Sequence, residues 1–154
     1  MKSKRSVRDA ALLLLSHREH TRFELAEKLL RRGYGSAETD ALLDEFVAMG
    51  FLCEKRAAEL LLQHALEDRH HGLRYWRKKM VERGFPDALI SGTLEQLRDE
   101  VDEMDAATEL AAALAVRGKT PEQVARVLDS RGFAGDCIAY ALQKLRLDNC
   151  EFGS

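Results

Sequence analysis

The chain has 154 residues, 45% of them hydrophobic, and a formal net charge of −2, which gives one or two domains' worth of length and an ordinary core. Two prolines, three cysteines without a C-x-x-C pair and no apolar run of spanning length exclude a disulfide scaffold, a zinc ribbon and a membrane span. Good helix formers dominate and no window alternates with period two, so an all-α protein is expected. The apolar run Ala10 to Leu15 is too short for a secretory h-region, and the cysteines fit a reducing compartment, so the expected location is cytoplasmic.

The elements fall into a repeat. A Gly-aromatic pair occurs as Gly33-Tyr34, Gly84-Phe85 and Gly132-Phe133, spaced 51 and then 48 residues apart. Fixed-period self-similarity is the mark of an array of one supersecondary unit. Helices are predicted over roughly 6–18, 21–32 and 36–49, then 54–70, 73–83 and 87–100, then 103–117, 121–131 and 135–147. The fold expected is three tandem three-helix repeats, 6–50, 51–101 and 102–148, stacked as an elongated, curved array. Residues 149–154 are set aside as a tail, disordered or vector-derived. Three short helices per unit also fit a helix-turn-helix domain, so that reading stays open.

Within each repeat the positions correspond. Leu25, Trp76 and Val124 lie eight residues before the glycine, and Leu29, Met80 and Leu128 four before it, neighbours on one helical face. The glycine suits a left-handed C′ position, with the aromatic at C″ folding back on C3. Gly50-Phe51 repeats the device, setting Phe51 on Phe46. The following helix carries Thr39, Leu43 and Phe46, then Ile90, Leu94 and Leu97, then Ile138, Leu142 and Leu145 as its buried stripe. Thr21, Gly72 and Thr120 are N-caps; Thr21 with Glu24 forms a capping box, and Thr120 has Pro121 at N1 and Gln123 at N3. Arg18, Arg69 and Arg117 recur near the end of each first helix, where a cation meets the negative dipole end.

Charge is blocked along the chain: +5 over residues 1–35, −6 over 36–68, +5 over 69–86, −7 over 87–109 and +1 over 110–154. No Walker-type loop, H-E-x-x-H or G-x-S-x-G occurs, so no catalytic residue and no enzymatic activity are expected. His17 and His20 lack a carboxylate or cysteine cluster to complete a metal site. They and His70-His71 read as solvated surface histidines, and neither metal nor cofactor is expected. The candidate binding surface is the basic helix of the middle repeat: Arg69, Arg74, Tyr75, Arg77, Lys78, Lys79 and Arg83, with Arg74, Lys78 and Glu82 on one strip. Such a strip attracts an acidic protein surface or a phosphate backbone; a salt-bridged, solvated face is the plainer alternative. Trp76 falls on the core stripe and should be buried, whereas Tyr75 lies off it and should be an exposed contact.

The first unit reads Leu15-Ser16-His17-Arg18-Glu19-His20-Thr21-Arg22-Phe23-Glu24-Leu25, followed by Leu29 and Gly33-Tyr34. This resembles the N-terminal motif of the RecX family, bacterial regulators of the RecA recombinase. Gly72, Trp76, Met80 and Arg83-Gly84-Phe85 extend the resemblance, as do Thr120, Val124, Leu128 and Arg131-Gly132-Phe133, so it covers roughly residues 7–147. Where the family usually has an acidic residue and an aromatic before alanine, this chain has Cys53-Glu54-Lys55-Arg56-Ala57-Ala58. The resemblance implies a non-enzymatic protein that lies in the groove of the RecA nucleoprotein filament. It would inhibit ATPase, strand-exchange and co-protease activity, thereby modulating recombination, DNA repair and the SOS response. The expected protein is a monomer with at most weak direct DNA contact and no membrane partner. Two other classes compete: a helical module that binds DNA without recombinase, and a generic α-solenoid scaffold.

Overall fold

Glycines in the left-handed region end the helices. Gly33, Gly50, Gly84, Gly118 and Gly132 have φ between 78° and 88°, and each is followed by the paired bonds of a Schellman turn. Tyr34 N–H donates to Leu29 O (3.2 Å), Phe85 N–H to Met80 O (3.1 Å) and Phe133 N–H to Leu128 O (3.1 Å). Phe51 N–H likewise reaches Phe46 O at 2.9 Å, and the two rings meet edge to face with centroids 5.5 Å apart. Gly118, closing the seventh helix, follows the same rule without an aromatic after it, which is why the Gly-aromatic pattern passes it over.

The structure, a computed structural model, describes residues 4–152. Among them are nine helices and no strand: α1 Val7–His17, α2 Arg22–Arg31, α3 Ser36–Met49, α4 Glu54–Glu67, α5 Leu73–Glu82, α6 Asp87–Glu100, α7 Glu103–Val116, α8 Pro121–Ser130 and α9 Gly135–Phe152. They are three successive sets of three. Both expected capping boxes form, Thr21 with Glu24 and Thr120 with Gln123. Two boundaries differ from expectation. α4 stops three residues early because the Asp68 carboxylate accepts the His70 N–H at 2.7 Å, a side-chain competitor for the helical bond. α9 continues to Phe152, through four residues of the tail; the rest of it, residues 153–154, lies outside the described residues.

The chain divides into two units, neither of which coincides with a helical trio. One takes the described chain up to Leu61 together with Met80–Ile90, the other Leu62–Lys79 together with the chain from Ser91 onward. In the first, Val7, Ala10 and Leu14 of α1, Leu25 and Leu29 of α2, and Leu42, Leu43 and Phe46 of α3 form one buried cluster, with Tyr34 against its edge. In the second, Ala106, Ala107 and Ala111 of α7 pack with Val124, Leu128, Phe133, Cys137 and Ala141. Small alanines let the helices approach closely, and α9 is turned by about one residue as a result. Cys137 and Ala141 take the buried positions, while Ile138, Leu142 and Leu145 lie half-buried at the rim. Among the described residues no helix is long and apolar enough to cross a membrane.

Candidate functional site

The basic helix α5 begins where a neighbouring turn leaves no space for side chains. Gly72 N–H donates to Arg131 O at 2.9 Å and Arg74 N–H to Gly132 O at 3.2 Å. These are orphan donors of a helix start, satisfied here by carbonyls of the turn that ends α8. A Cβ on Gly132 would stand 2.8 Å from Tyr75 Cβ and 2.9 Å from Tyr75 Cα; only glycine fits.

This seating holds Arg74 and Tyr75 of the seven candidate residues; the rest have other surroundings. Arg74 Nη2 donates to Phe133 O at 2.7 Å and pairs with Asp129 Oδ1 at 2.9 Å. Arg69 is held by Asp105 at 2.9 Å and Glu109 at 2.8 Å, Glu109 foremost in raising its pKa. Arg83 belongs to the other unit. Its Nε meets Glu24 Oε1 at 2.9 Å, and its side chain is only 20% exposed. Tyr75 is not the exposed contact expected from its place off the stripe. It is half-buried beneath Gly132 and stacked on His71 with centroids 3.8 Å apart. Arg74 keeps more than half of its side chain exposed beside Asp129, and the other exposed cations of the helix are Arg77, Lys78 and Lys79. Lys79 Nζ lies 5.6 Å from the centre of the Tyr75 ring, and among the described residues Arg77 makes no ion pair. Trp76 is buried, as its register requires.

The histidines are not all solvated. His20 is 1% exposed. Its Nδ1–H donates to Arg18 O at 2.9 Å, and Nε2 accepts from the Lys28 ammonium at 2.8 Å. Burial, then the charges of Arg18 and Lys28, push its pKa below the ordinary value against the Arg18 carbonyl bond. Burial likewise lowers Lys28. Beside them Glu24, 8% exposed, takes Arg18, the Thr21 N–H and Arg83. Burial raises its pKa, but those three donors outweigh it, and the net shift is down. His71 Nδ1 lies 2.6 Å from Asp68 Oδ2. The bonds of His70 and His71 overcome the burial of Asp68 and lower its pKa. Sequence gave one faint signal for His20, its place immediately before an N-cap, where a buried residue often staples the helix entry. Arg18 and Arg69 also turn to carboxylates rather than to their helix ends, since charged acceptors make stronger bonds than carbonyls.

Unit two carries an open groove of about 770 Å³, lined by Arg74, Arg98, Asp102, Glu103, Asp136 and Cys137 among others. The Cys137 thiol is pushed up to about 11, chiefly by burial and then by Glu103 and Asp136, so it is no nucleophile at neutral pH. Among the described residues no three His, Cys, Asp or Glu side chains are grouped to hold a metal ion.

Comparison with known proteins places this architecture. Residues 8–46 match the model of RecX, first three-helix domain. The chain is 35% identical over 139 residues to the regulatory protein RecX of Halorhodospira halophila, covering 88% of this chain and 86% of that one. It is 32% identical over 142 residues to the regulatory protein RecX of Leptothrix cholodnii, covering 90% and 88%. The crystal structure of RecX from Lactobacillus salivarius shares the fold, with a TM-score of 0.70 at 20% identity over 92% of this chain and 95% of that chain. With that identity, coverage and helical plan, the chain belongs to the RecX family of regulatory proteins.

Proposed function

We propose that this protein binds the RecA nucleoprotein filament in the cytoplasm and inhibits its ATPase, strand-exchange and co-protease activities, with no catalysis of its own. Membership of the RecX family supports the partner. The observation that carries the contact is the exposed cationic run Arg77, Lys78 and Lys79 on α5. Its neighbours Arg69, Arg74 and Arg83 are occupied within the fold. Arg77, Lys78 and Lys79 lie together on the exposed surface of α5, while Arg69, Arg74, Tyr75 and Arg83 also make the contacts that hold this segment in place. We further propose that the functional repeats are 6–50, 51–101 and 102–148, acting as tethered weak contacts that raise one another's effective concentration.

The test is single-stranded-DNA-dependent ATP hydrolysis by RecA, titrated with this protein. Inhibition at saturation is expected; an unchanged rate sinks the reading. Combined Arg77→Glu, Lys78→Glu and Lys79→Glu should weaken inhibition by roughly tenfold or more, as facing like charges replace attraction. Reversal of the exposed Lys144 and Arg146 on α9 serves as the control. Retained inhibition by the α5 variant would clear that helix. Binding to bare DNA with a steep salt dependence, and no effect of RecA, would favour the direct DNA reading.

A further inference from the structure

Each unit contains one joint of the same design. In the first, the turn Arg83-Gly84-Phe85 sits on the start of α2. The Thr21 hydroxyl donates to Arg83 O, and a Cβ on Gly84 would come within 2.6 Å of the Phe23 ring. The Arg83 guanidinium reaches Glu24. In the second, the turn Arg131-Gly132-Phe133 sits on the start of α5, through Gly72 N–H to Arg131 O and Arg74 N–H to Gly132 O. Thr21 and Gly72 hold the same register, twelve residues before Gly33 and Gly84, and Arg83 and Arg131 each directly precede a turn glycine. The same carbonyl thus meets the same helix start twice.

Both sets have a third member, and among the described residues neither enters a joint of this kind; the Arg32-Gly33-Tyr34 turn instead meets the chain's own Lys4 and Arg5, through the Tyr34 ring and hydroxyl. Thr120 stands where Thr21 and Gly72 stand, yet it is exposed while they are buried. Its Oγ1 accepts the Gln123 N–H at 3.3 Å, as Thr21 accepts Glu24, but its hydroxyl proton has no acceptor among the described residues. Arg32 stands where Arg83 and Arg131 stand. Its carbonyl receives no bond among the described residues, and Gly33 beside it is exposed. A Cβ on Gly33 would meet only the Lys4 ammonium, at 3.4 Å. Arg31, paired with Glu27, and Arg32 precede the turn glycine, and the start of α8 carries the exposed Glu122 beside the exposed Lys119, so Arg32 with Glu122 is the one opposite-charge match.

We propose that a second copy of this chain seats its Arg32-Gly33-Tyr34 turn on the Thr120 end of α8, making between molecules the joint made twice within one. The occupant follows from continuity with that joint: the free carbonyl and the free hydroxyl are the complementary halves of a contact already formed between equivalent residues. Such a contact is heterologous, joining two different surfaces, so each copy offers one of each kind. It does not depend on RecA and is tested without it.

Sedimentation velocity of the whole chain should show a weight-average mass that rises with concentration. Gly33→Asn keeps a residue that tolerates positive φ but adds a Cβ where the joint admits none. Thr120→Asp with Glu122→Arg keeps a good cap acceptor while removing the donated proton and reversing the facing charge. Either variant alone should stay monomeric, with unchanged circular dichroism. Mixed in equal amounts they should form dimers and nothing larger, because each retains the half that the other lacks. A wild-type chain that is monomeric at every concentration overturns the proposal. So does self-association that persists in both variants, or a mixture that stays monomeric while the wild type associates.

Discussion

Replacing Gly132 by alanine separates two costs that a glycine in a joint carries together. Gly118 and Gly132 belong to the same unit and have φ of 86° and 81°, so alanine meets nearly the same backbone strain at each, about 1 kcal/mol. The reduced freedom of the unfolded chain offsets both equally. Their surroundings differ: nothing lies within 4 Å of a Cβ on Gly118, whereas one on Gly132 runs into the backbone of Tyr75. Relief requires the turn to back away from α5, which breaks Gly72 N–H to Arg131 O and Arg74 N–H to Gly132 O. Each bond contributes about 1 kcal/mol. Gly118→Ala should therefore cost about 1 kcal/mol and Gly132→Ala about 3 kcal/mol. Urea unfolding followed by far-ultraviolet circular dichroism measures both, provided the slopes agree with the wild type. Equal losses would refute the argument that the joint, rather than the left-handed turn, makes Gly132 necessary.

Glu24→Ala strips Arg83 of its buried carboxylate and should cost about 2 kcal/mol, whereas Arg8→Ala, whose pair with Glu45 is exposed, should leave the urea midpoint unchanged; the two midpoints decide it. His20 has a folded pKa below 6.5, so below about pH 6.5 the unfolded chain binds a proton that the folded chain resists, and stability falls with pH from there toward the folded pKa. A His20→Gln variant should flatten that slope between pH 7 and pH 5. Glu24, also lowered, has its window lower, with stability lost only as pH falls from about 4.5 through its folded pKa. Trp76 is the one tryptophan and is 3% exposed, so its emission should be blue-shifted and insensitive to iodide. Strong quenching would restore a role for it in stacking on a ligand.

Helix periodicity made the elements legible, and the Gly-aromatic pairs gave their ends within a residue or two. Capping chemistry did the same for Thr21 and Thr120, since a hydroxyl three residues before Glu or Gln acts locally. What stayed hidden is non-local. Arg74 reads as a surface cation in its helix, and only the fold brings Phe133 O within 2.7 Å of it. His20 reads as solvated because neither Lys28 nor the loss of water around it is visible in a linear stretch. The shift of the α9 stripe to Cys137 and Ala141 follows from alanines on α7, a different segment altogether. For the candidate surface, sequence identified the helix, while packing sorted its cations into those that hold it and those that face outward.

The joint between Gly72 and Gly132 is closed largely by peptide groups, which every substitution except proline leaves in place. Ancestral drift can therefore rewrite the outward chemistry of these helices, cation by cation, without loosening how the turn is gripped. A regulator so constructed is free to follow changes in its target's surface over evolutionary time. The few glycines at the grip are what such divergence must spare.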